Sequence, residues 1–580
     1  MSNRSEPINI AVFGPADHGK STIIGFLFAT HSPGFSIEEY VRSLRTQSWY
    51  KDDRKYACLL DIQSEERQGS IDSNAGRGTT RMLHYMEFRL GEQHFQFIDN
   101  PGHQSLERTY VRGIFQGQHG LFVVAANELQ DHVQGLKQAM EDQSEDIKVP
   151  AAFTDLLIPL RIAVNFGMQS NTIAVSKMDL VGYSEEVFLS CRDVLAEYME
   201  NCLRVDPSSF DIIPTSVVAR ADRGENINSR PEHMAWWKGK TLEEALSCLK
   251  PPVTDTMLPL CIAVEDAKFD IPGQQTVLRG KIVSGTLKKG KVVKVAPLRE
   301  PSSAVTVYAR IRSIQLASES ARPEIPYKAS RRRVWAEFSE KSEYEAGSVI
   351  SLSLSEMGAG RHLTKEGFKG FSDYQIITHR EDMVQYGTVA CIDIMAGSDL
   401  PRMRHGDQCE LYLNGRKISG CRFLGMVSPA PLGQDSLKGK WICVALGTQI
   451  AVVVYDNKTV GSRAILGRSG MLYPGEIRRL GKAQRYHFVI ATSLNMAFAD
   501  LGVAEFETLT KNGYISEEDL KLPKPLRLEF GNREYKEMGR ALRSLFRALD
   551  DLGVIVVSTV EVEPLMESTR RPKYDRGTLS

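Results

Sequence analysis

Over residues 7–250 short apolar runs alternate with longer amphipathic stretches. Residues 8–13, 121–126 and 171–175 have the length and continuity of buried strands, and residues 22–28 are apolar enough for a helix packed on a sheet. This rhythm predicts an α/β domain with a mostly parallel sheet. Residues 31–80 interrupt it, being polar and poor in strand signal. They carry Ser64-Glu65-Glu66-Arg67-Gln68-Gly69 and Asn74-Ala75-Gly76-Arg77-Gly78-Thr79-Thr80-Arg81, a long glycine-bearing loop of the kind that serves function or is disordered. From Pro259 the pattern changes to short alternating runs with Gly, Pro, Asn and Asp between them, which predicts small β-barrels. Leu287-Lys288-Lys289-Gly290 reads as a tight hairpin before residues 292–295, and residues 310–315 and 334–338 continue the strands. Residues 355–385 read as a long inserted loop, and residues 408–413 and 450–455 belong to a second β-rich unit. Near the end, residues 488–491, 526–530 and 554–557 are strand-like. Residues 533–552 are helical, with Met538, Leu542, Leu545, Phe546 and Leu549 on one face.

The expected architecture is therefore multi-domain: an α/β domain over residues 1–250, a β-barrel with a late insertion over 251–390, a second β-barrel over 391–480, a small C-terminal α/β domain over 481–566, and a disordered tail over 567–580. The length of 580 residues allows roughly three to five domains. Composition adds mostly exclusions. Hydrophobic residues make up 42% and charged residues 25%, a globular balance, and the formal net charge of zero removes any global basicity. The nine cysteines show no C-x-x-C pair and no zinc spacing, which predicts reduced, mostly buried thiols and a cytoplasmic protein. No signal-peptide apolar core follows Met1, and no apolar run reaches membrane-spanning length, so no membrane partner is expected.

The chemistry is concentrated in the first domain. Gly14-Pro15-Ala16-Asp17-His18-Gly19-Lys20-Ser21-Thr22 is a phosphate-binding loop between a strand and a helix. Its glycines let backbone N–H groups close around phosphate oxygens, and the helix N-terminus adds its positive end. Lys20 is placed for the β- and γ-phosphates and Ser21 for Mg²⁺. Further on, a strand ends in Asp99-Asn100-Pro101-Gly102-His103. An Asp at such a strand end holds Mg²⁺ directly or through water. Gly102 leaves room for a backbone N–H at the γ-phosphate, and His103 is placed to orient an attacking water. Ser176-Lys177-Met178-Asp179 closes a later strand. The Asp179 carboxylate can accept from guanine N1–H and N2–H₂, a donor pair that adenine lacks, while the Lys177 stem lies over the base. Thr215-Ser216-Val217 can bring a backbone N–H to guanine O6.

Together these motifs resemble the translation-factor GTPases, and within them the elongation factor 1-alpha branch that includes elongation factor Tu. The resemblance rests on Asp17-His18-Gly19-Lys20-Ser21-Thr22, Asp99-x-Pro-Gly-His103, Lys177-Met178-Asp179 and Tyr183-Ser184-Glu185-Glu186. It continues through Met234–Gly239, residues 241–246 and the barrel opening at residues 277–290, and covers roughly residues 7–480. It implies an α/β P-loop GTPase domain followed by two β-barrel domains, with GTP and GDP as substrate and product and Mg²⁺ as cofactor. It implies Lys20 and Ser21 as phosphate and Mg²⁺ residues and Thr80 as the switch-one threonine on the metal. Asp99 and Gly102 correspond to switch two, His103 to the catalytic histidine, Lys177 and Asp179 to the guanine pair, and Ser216 to the last base contact. The sequence departs from the pattern in several places. Ser176 stands where the family has Asn, residues 70–77 lengthen switch one, residues 131–158 are inserted, and Gln104-Ser105-Leu106-Glu107-Arg108 alters the surface after His103.

The function implied is a GTP-hydrolysing conformational switch acting on the ribosome or a tRNA-like RNA. The alternative is a non-ribosomal regulatory or adaptor GTPase whose C-terminal domain binds a protein partner. Two basic features bear on partners: Arg331-Arg332-Arg333, a phosphate contact or a solvated turn, and the helical row Lys536, Arg540, Arg543 and Arg547, an RNA-facing or solvated face.

Overall fold

The computed structural model describes residues 7–47, 50–60, 80, 82–103, 106–141, 151–166, 168, 171–201, 203, 205–250, 257–268, 277–297, 307–316, 343–356, 375–378, 384–394, 407–427, 441–455, 458–460, 463–468 and 471–481. The expectations for residues 334–338, the switch-one insertion, Thr79, Gln104, Ser105, the Arg331 triplet, the C-terminal α/β domain and the tail lie outside this set.

The first domain is built on six strands: β1 (Ile8–Phe13), β2 (His84–Leu90), β3 (Gln93–Asp99), β4 (His119–Ala125), β5 (Asn171–Ser176) and β6 (Asp211–Pro214). Their order is β2-β3-β1-β4-β5-β6. All pairings from β3 to β6 are parallel, and β2 joins β3 as an antiparallel edge. Every residue of β1 and β4 is buried, as expected where helices cover both faces of a parallel sheet. One core cluster joins Ile10, Val12, Ile24, Leu27, Phe95, Phe97, Leu121, Val123 and Ala174.

The helices are α1 (Lys20–His31), α2 (Ile37–Leu44), α3 (Glu107–Gln116), α4 (Ala126–Glu141), α5 (Ala151–Asn165), α6 (Glu185–Asn201) and α7 (Leu242–Ser247). The α2 helix lies within the polar stretch 31–80. It is capped by Ser36, whose Oγ accepts from the Glu39 amide, with Glu38 and Glu39 in its first turn. Of the expected insertion at 131–158, residues 131–141 lie in α4 and residues 151–158 in α5. In α7 the cap is reciprocal, because Thr241 accepts from the Glu244 amide and the Glu244 carboxylate accepts from the Thr241 amide. Among the described residues no helix is long and apolar enough to cross a membrane.

Two short strands, β7 (Ser216–Val218) and β8 (Arg223–Glu225), pair beside the main sheet. The next set is β9 (Cys261–Lys268), β10 (Val277–Ser284), β11 (Thr286–Lys288), β12 (Val292–Pro297), β13 (Val307–Leu316), β14 (Glu343–Glu345), β15 (Val349–Glu356) and β16 (Gln375–Thr378). Six of these close a barrel, β10-β15-β13-β12-β16-β9. Leu278, Ile282, Val293, Ile311, Ile314, Ile350 and Leu352 fill it. Two local expectations change here. The turn at Gly290 (φ +82°) exists, but β11 pairs with β14 and β12 with β13, so the flanking strands do not form a hairpin with each other. Within the expected loop 355–385, residues 375–378 form β16, which pairs with β9 and supplies a stave of the barrel.

The remaining strands are β17 (Val384–Ile394), β18 (Gln408–Leu413), β19 (Arg416–Val427), β20 (Trp441–Tyr455), β21 (Lys458–Val460), β22 (Arg463–Arg468) and β23 (Met471–Gly481). They form the order β17-β23-β22-β18-β19-β20-β21, and a further pairing of β17 with β20 brings the sheet back on itself. The boundary expected at 390/391 falls inside β17. That strand is hydrogen-bonded along its length to β20 and β23, so its first residues belong with the later sheet, and the compact units divide at Arg380. The α/β domain and the first barrel lie together in the other compact unit.

Candidate functional site

The parallel register places the sequence motifs at one edge of the sheet. Val12 pairs with Asp99, Ala125 with Ser176 and Val175 with Pro214, so the strand ends line up where ligands of open α/β sheets bind. The loop leaving β1 is tightly shaped. Gly14 has φ +144°, and a Cβ there would come within 2.1 Å of the Val123 carbonyl oxygen. Asp17 (φ 61°) and Gly19 (φ +92°) are also left-handed, and Gly19 caps α1.

Ser21, Thr80 and Asp99 meet. Ser21 Oγ donates to Asp99 Oδ2 at 2.6 Å and lies 3.3 Å from Thr80 Oγ1. Asp99 is fully buried and Thr80 nearly so. Three residues far apart in sequence thus present hard oxygens to one point, a donor set suited to Mg²⁺. Lys20 is buried and donates to the Pro15 carbonyl at 2.6 Å. Burial lowers its pKa to about 8, and Lys177 adds to this against the opposing charges of Asp99 and Asp17. A Cβ on Gly102 would sit 2.5 Å from the Ala16 amide and 2.6 Å from Lys20 Nζ, so this backbone runs against the loop. His103 follows, half-buried, and its carbonyl accepts from the Leu106 amide at 2.9 Å just ahead of α3. Asn100 pins the segment, its Nδ2 donating to the Val12 and Ile98 carbonyls.

His18 is held by groups that its motif does not reveal. Its Nδ1 accepts from the Ala125 amide at 2.8 Å, so Nε2 carries the proton and donates to Glu128 Oε2 at 2.8 Å. This is a neutral imidazole bonded to a carboxylate, since Nδ1 has no room for a second proton. Burial foremost, then Lys20 and Lys177, lower its pKa to about 3, with Asp17 opposing. Glu128, in the first turn of α4, carries no local sequence signal for this role, because only the fold brings it to residue 18.

On the other side Lys177 is left-handed (φ 56°) and caps the turn at Met178–Val181. Ser216 Oγ donates to Asp179 Oδ1 at 2.5 Å, which fixes the carboxylate. The Met178 amide donates to the Thr215 carbonyl at 3.2 Å, and the Thr215 amide to Val175 at 2.8 Å. Ser176 Oγ donates to the His18 carbonyl at 2.6 Å, tying this loop to the phosphate loop. The strand ends that carry these motifs therefore share one edge of the sheet. Hydrogen bonds join Ser21 to Thr80 and Asp99, Ser176 to His18, and Ser216 to Asp179. Thr22 lies in the first turn of α1.

Behind the site, α3 ends against the first barrel. Lys281 Nζ donates to the Phe115 carbonyl at 2.8 Å and lies 3.3 Å from the Gly117 carbonyl. Asn9 Nδ2 donates to Gly347 at 2.7 Å, and Arg279 stacks on Tyr85. Elsewhere among the described residues, Glu225, Glu232 and His233 lie close enough to share an ion. Glu225 is already engaged by His233 Nδ1, the Glu232 amide and Arg223, so this group knits the loop ahead of α7.

Residues 5–252 match the family described as the elongation factor Tu GTP binding domain. The chain is 30% identical over 319 residues to elongation factor 1-alpha of Methanothermobacter thermautotrophicus, covering 55% of this chain and 64% of that protein. It is 32% identical over 337 residues to elongation factor 1-alpha of Ignicoccus hospitalis, covering 56% of this chain and 67% of that one. The crystal structure of the Saccharomyces cerevisiae Ski7 GTPase-like domain, bound to GTP, aligns with a TM-score of 0.56 at 15% identity, over 81% of this chain and 97% of that one, a likeness of fold. By its sequence matches and its architecture the chain belongs to the translational GTPase superfamily of the elongation factor Tu and elongation factor 1-alpha type.

Proposed function

We propose that the chain is a cytoplasmic, Mg²⁺-dependent GTPase that works as a conformational switch on an RNA or ribonucleoprotein partner. The observation that carries this reading is the meeting of Ser21, Thr80 and Asp99 at one end of the site, with an oriented Asp179 at the other. In this reading Asp17, His18, Gly19, Lys20, Ser21 and Thr22 cradle the β- and γ-phosphates. Ser21, Thr80 and Asp99 would hold Mg²⁺, which would supply charge neutralisation on the phosphates. Gly102 brings a backbone N–H toward the γ-phosphate, and His103 orients the water that attacks in line. Asp179, set by Ser216, and Lys177 select guanine. Loss of the γ-phosphate would free the segments around Thr80 and Gly102, the switching step of such proteins.

His103→Ala tests the hydrolytic role. The substitution should slow single-turnover GTP hydrolysis by ~10²-fold or more while GTP affinity stays within about threefold. Wild-type turnover in this variant would remove His103 from the mechanism.

The alternative, a regulatory or adaptor GTPase away from the ribosome, is favoured by one fact. The sequence likeness to the first relative covers 55% of this chain. The residues beyond it are free to serve another partner. Co-sedimentation with ribosomes in the presence of a non-hydrolysable GTP analogue separates the two readings, and no nucleotide-dependent binding would exclude the ribosomal one.

A further inference from the structure

Guanine offers a pocket four atoms to recognise: donors at N1 and N2, and acceptors at O6 and N7. The Asp179 carboxylate answers the donors. An acceptor such as N7 needs a proton from the protein, and the hydroxyls of the base-side segments have none to give. Ser176, 3% exposed, donates its proton to the His18 carbonyl at 2.6 Å, with the Val124 carbonyl next at 3.2 Å. Both neighbours are acceptors, so the proton stays in the protein whichever it chooses. Thr215 Oγ1 faces the Val175 carbonyl at 3.4 Å and is fully buried. Ser216 gives its proton to Asp179 at 2.5 Å. A hydroxyl carries one proton, so each is already committed.

Position 176 decides the matter. An amide side chain there would carry two N–H protons, enough to brace the phosphate loop and still meet a base nitrogen. A serine can do one of these, and the geometry shows which. We infer that this protein reads guanine by its Watson–Crick edge and leaves N7 unread, and that Ser176 is a positioning residue riveting the base-reading loop to the phosphate loop. The inference rests on the GTP reading above. The ligand class that follows is guanine nucleotides irrespective of the atom at position 7. Asp179 becomes the main discriminator, and the loss of the N2 amino group becomes the costly change.

The test uses the full chain and competitive displacement of a fluorescent guanine nucleotide by GTP, 7-deaza-GTP and inosine triphosphate. The expected result is 7-deaza-GTP within about twofold of GTP and inosine triphosphate about tenfold weaker or worse. A 7-deaza-GTP affinity roughly tenfold below that of GTP would overturn the assignment while leaving the GTP reading intact. Failure of GTP itself to displace the probe would instead bring down the GTP reading and the proposal with it. In Ser176→Ala, GTP and 7-deaza-GTP should weaken by the same factor, since a rivet serves both. Weakening of GTP alone would show that the hydroxyl reads N7.

Discussion

Lys281 Nζ lies 2.8 Å from the carbonyl oxygen of Phe115 and 4.9 Å from the centre of the same residue's ring. A barrel cation thus caps the C-terminus of α3, where the helix dipole is negative and the last carbonyls lack intrahelical partners. The same α3 begins a few residues after Gly102 and His103. The helix therefore has one end at the site and the other on the barrel.

Lys281→Met keeps the stem's packing and removes the charge-assisted hydrogen bond. It should cost about 1–2 kcal/mol, partly through an unsatisfied carbonyl. Thermal unfolding of the two proteins measures this, with an expected fall in midpoint of roughly 2–4 °C. An unchanged midpoint would show that the contact contributes nothing net.

His18 sets an acid limit. Its folded pKa of about 3 lies below the unfolded value of 6.5, so the unfolded chain takes up the proton first as pH falls. The stabilisation from the neutral buried ring is complete above pH 6.5 and declines from there toward pH 3. Between pH 7 and pH 5 the loss is about 2 kcal/mol for this group alone. Replacing His18 by Gln, which keeps an acceptor and a donor, should flatten the stability profile in that window. Denaturant titrations at pH 5, 6 and 7 would reveal an undiminished slope if the ring were not the source.

Gly102→Ala places a methyl group 2.5 Å from the Ala16 amide and 2.6 Å from Lys20 Nζ. Backbone and ammonium cannot both yield, so the segment must retreat from the phosphate loop. GTP hydrolysis should drop by ~10²-fold, the scale of a misplacement of about 1 Å. GDP, which has no γ-phosphate, should bind within a few-fold of wild type. A parallel loss of GDP binding would mean that the methyl group disrupts the whole loop.

The motifs were legible in sequence because each is a set of chemical types at fixed spacing inside one turn or strand end. Gly14 to Thr22, Asp99 to His103 and Ser176 to Asp179 are local. Their mutual placement follows from the parallel sheet that the apolar rhythm predicts. Contacts that depend on tertiary approach were not legible. Glu128 reaches His18 across 110 positions, and Lys281 reaches Phe115 across 166. Neither carries a spacing signal. In the barrels the difficulty was pairing. The four residues of β16 are too few to show alternation, and the Gly290 turn looks alike whether its strands pair with each other or part. β17 escaped its boundary because register with β20 and β23, rather than local composition, decides which sheet a strand joins.

The helix α4 is 16 residues long, roughly 24 Å of rigid rod, and the bond from Glu128 to His18 is at its starting end. The Glu128 side chain is 44% exposed. One carboxylate therefore pins the first turn of this rod to the phosphate loop, so the register of a whole helix is set by a bond to the residue beside Gly19 and Lys20.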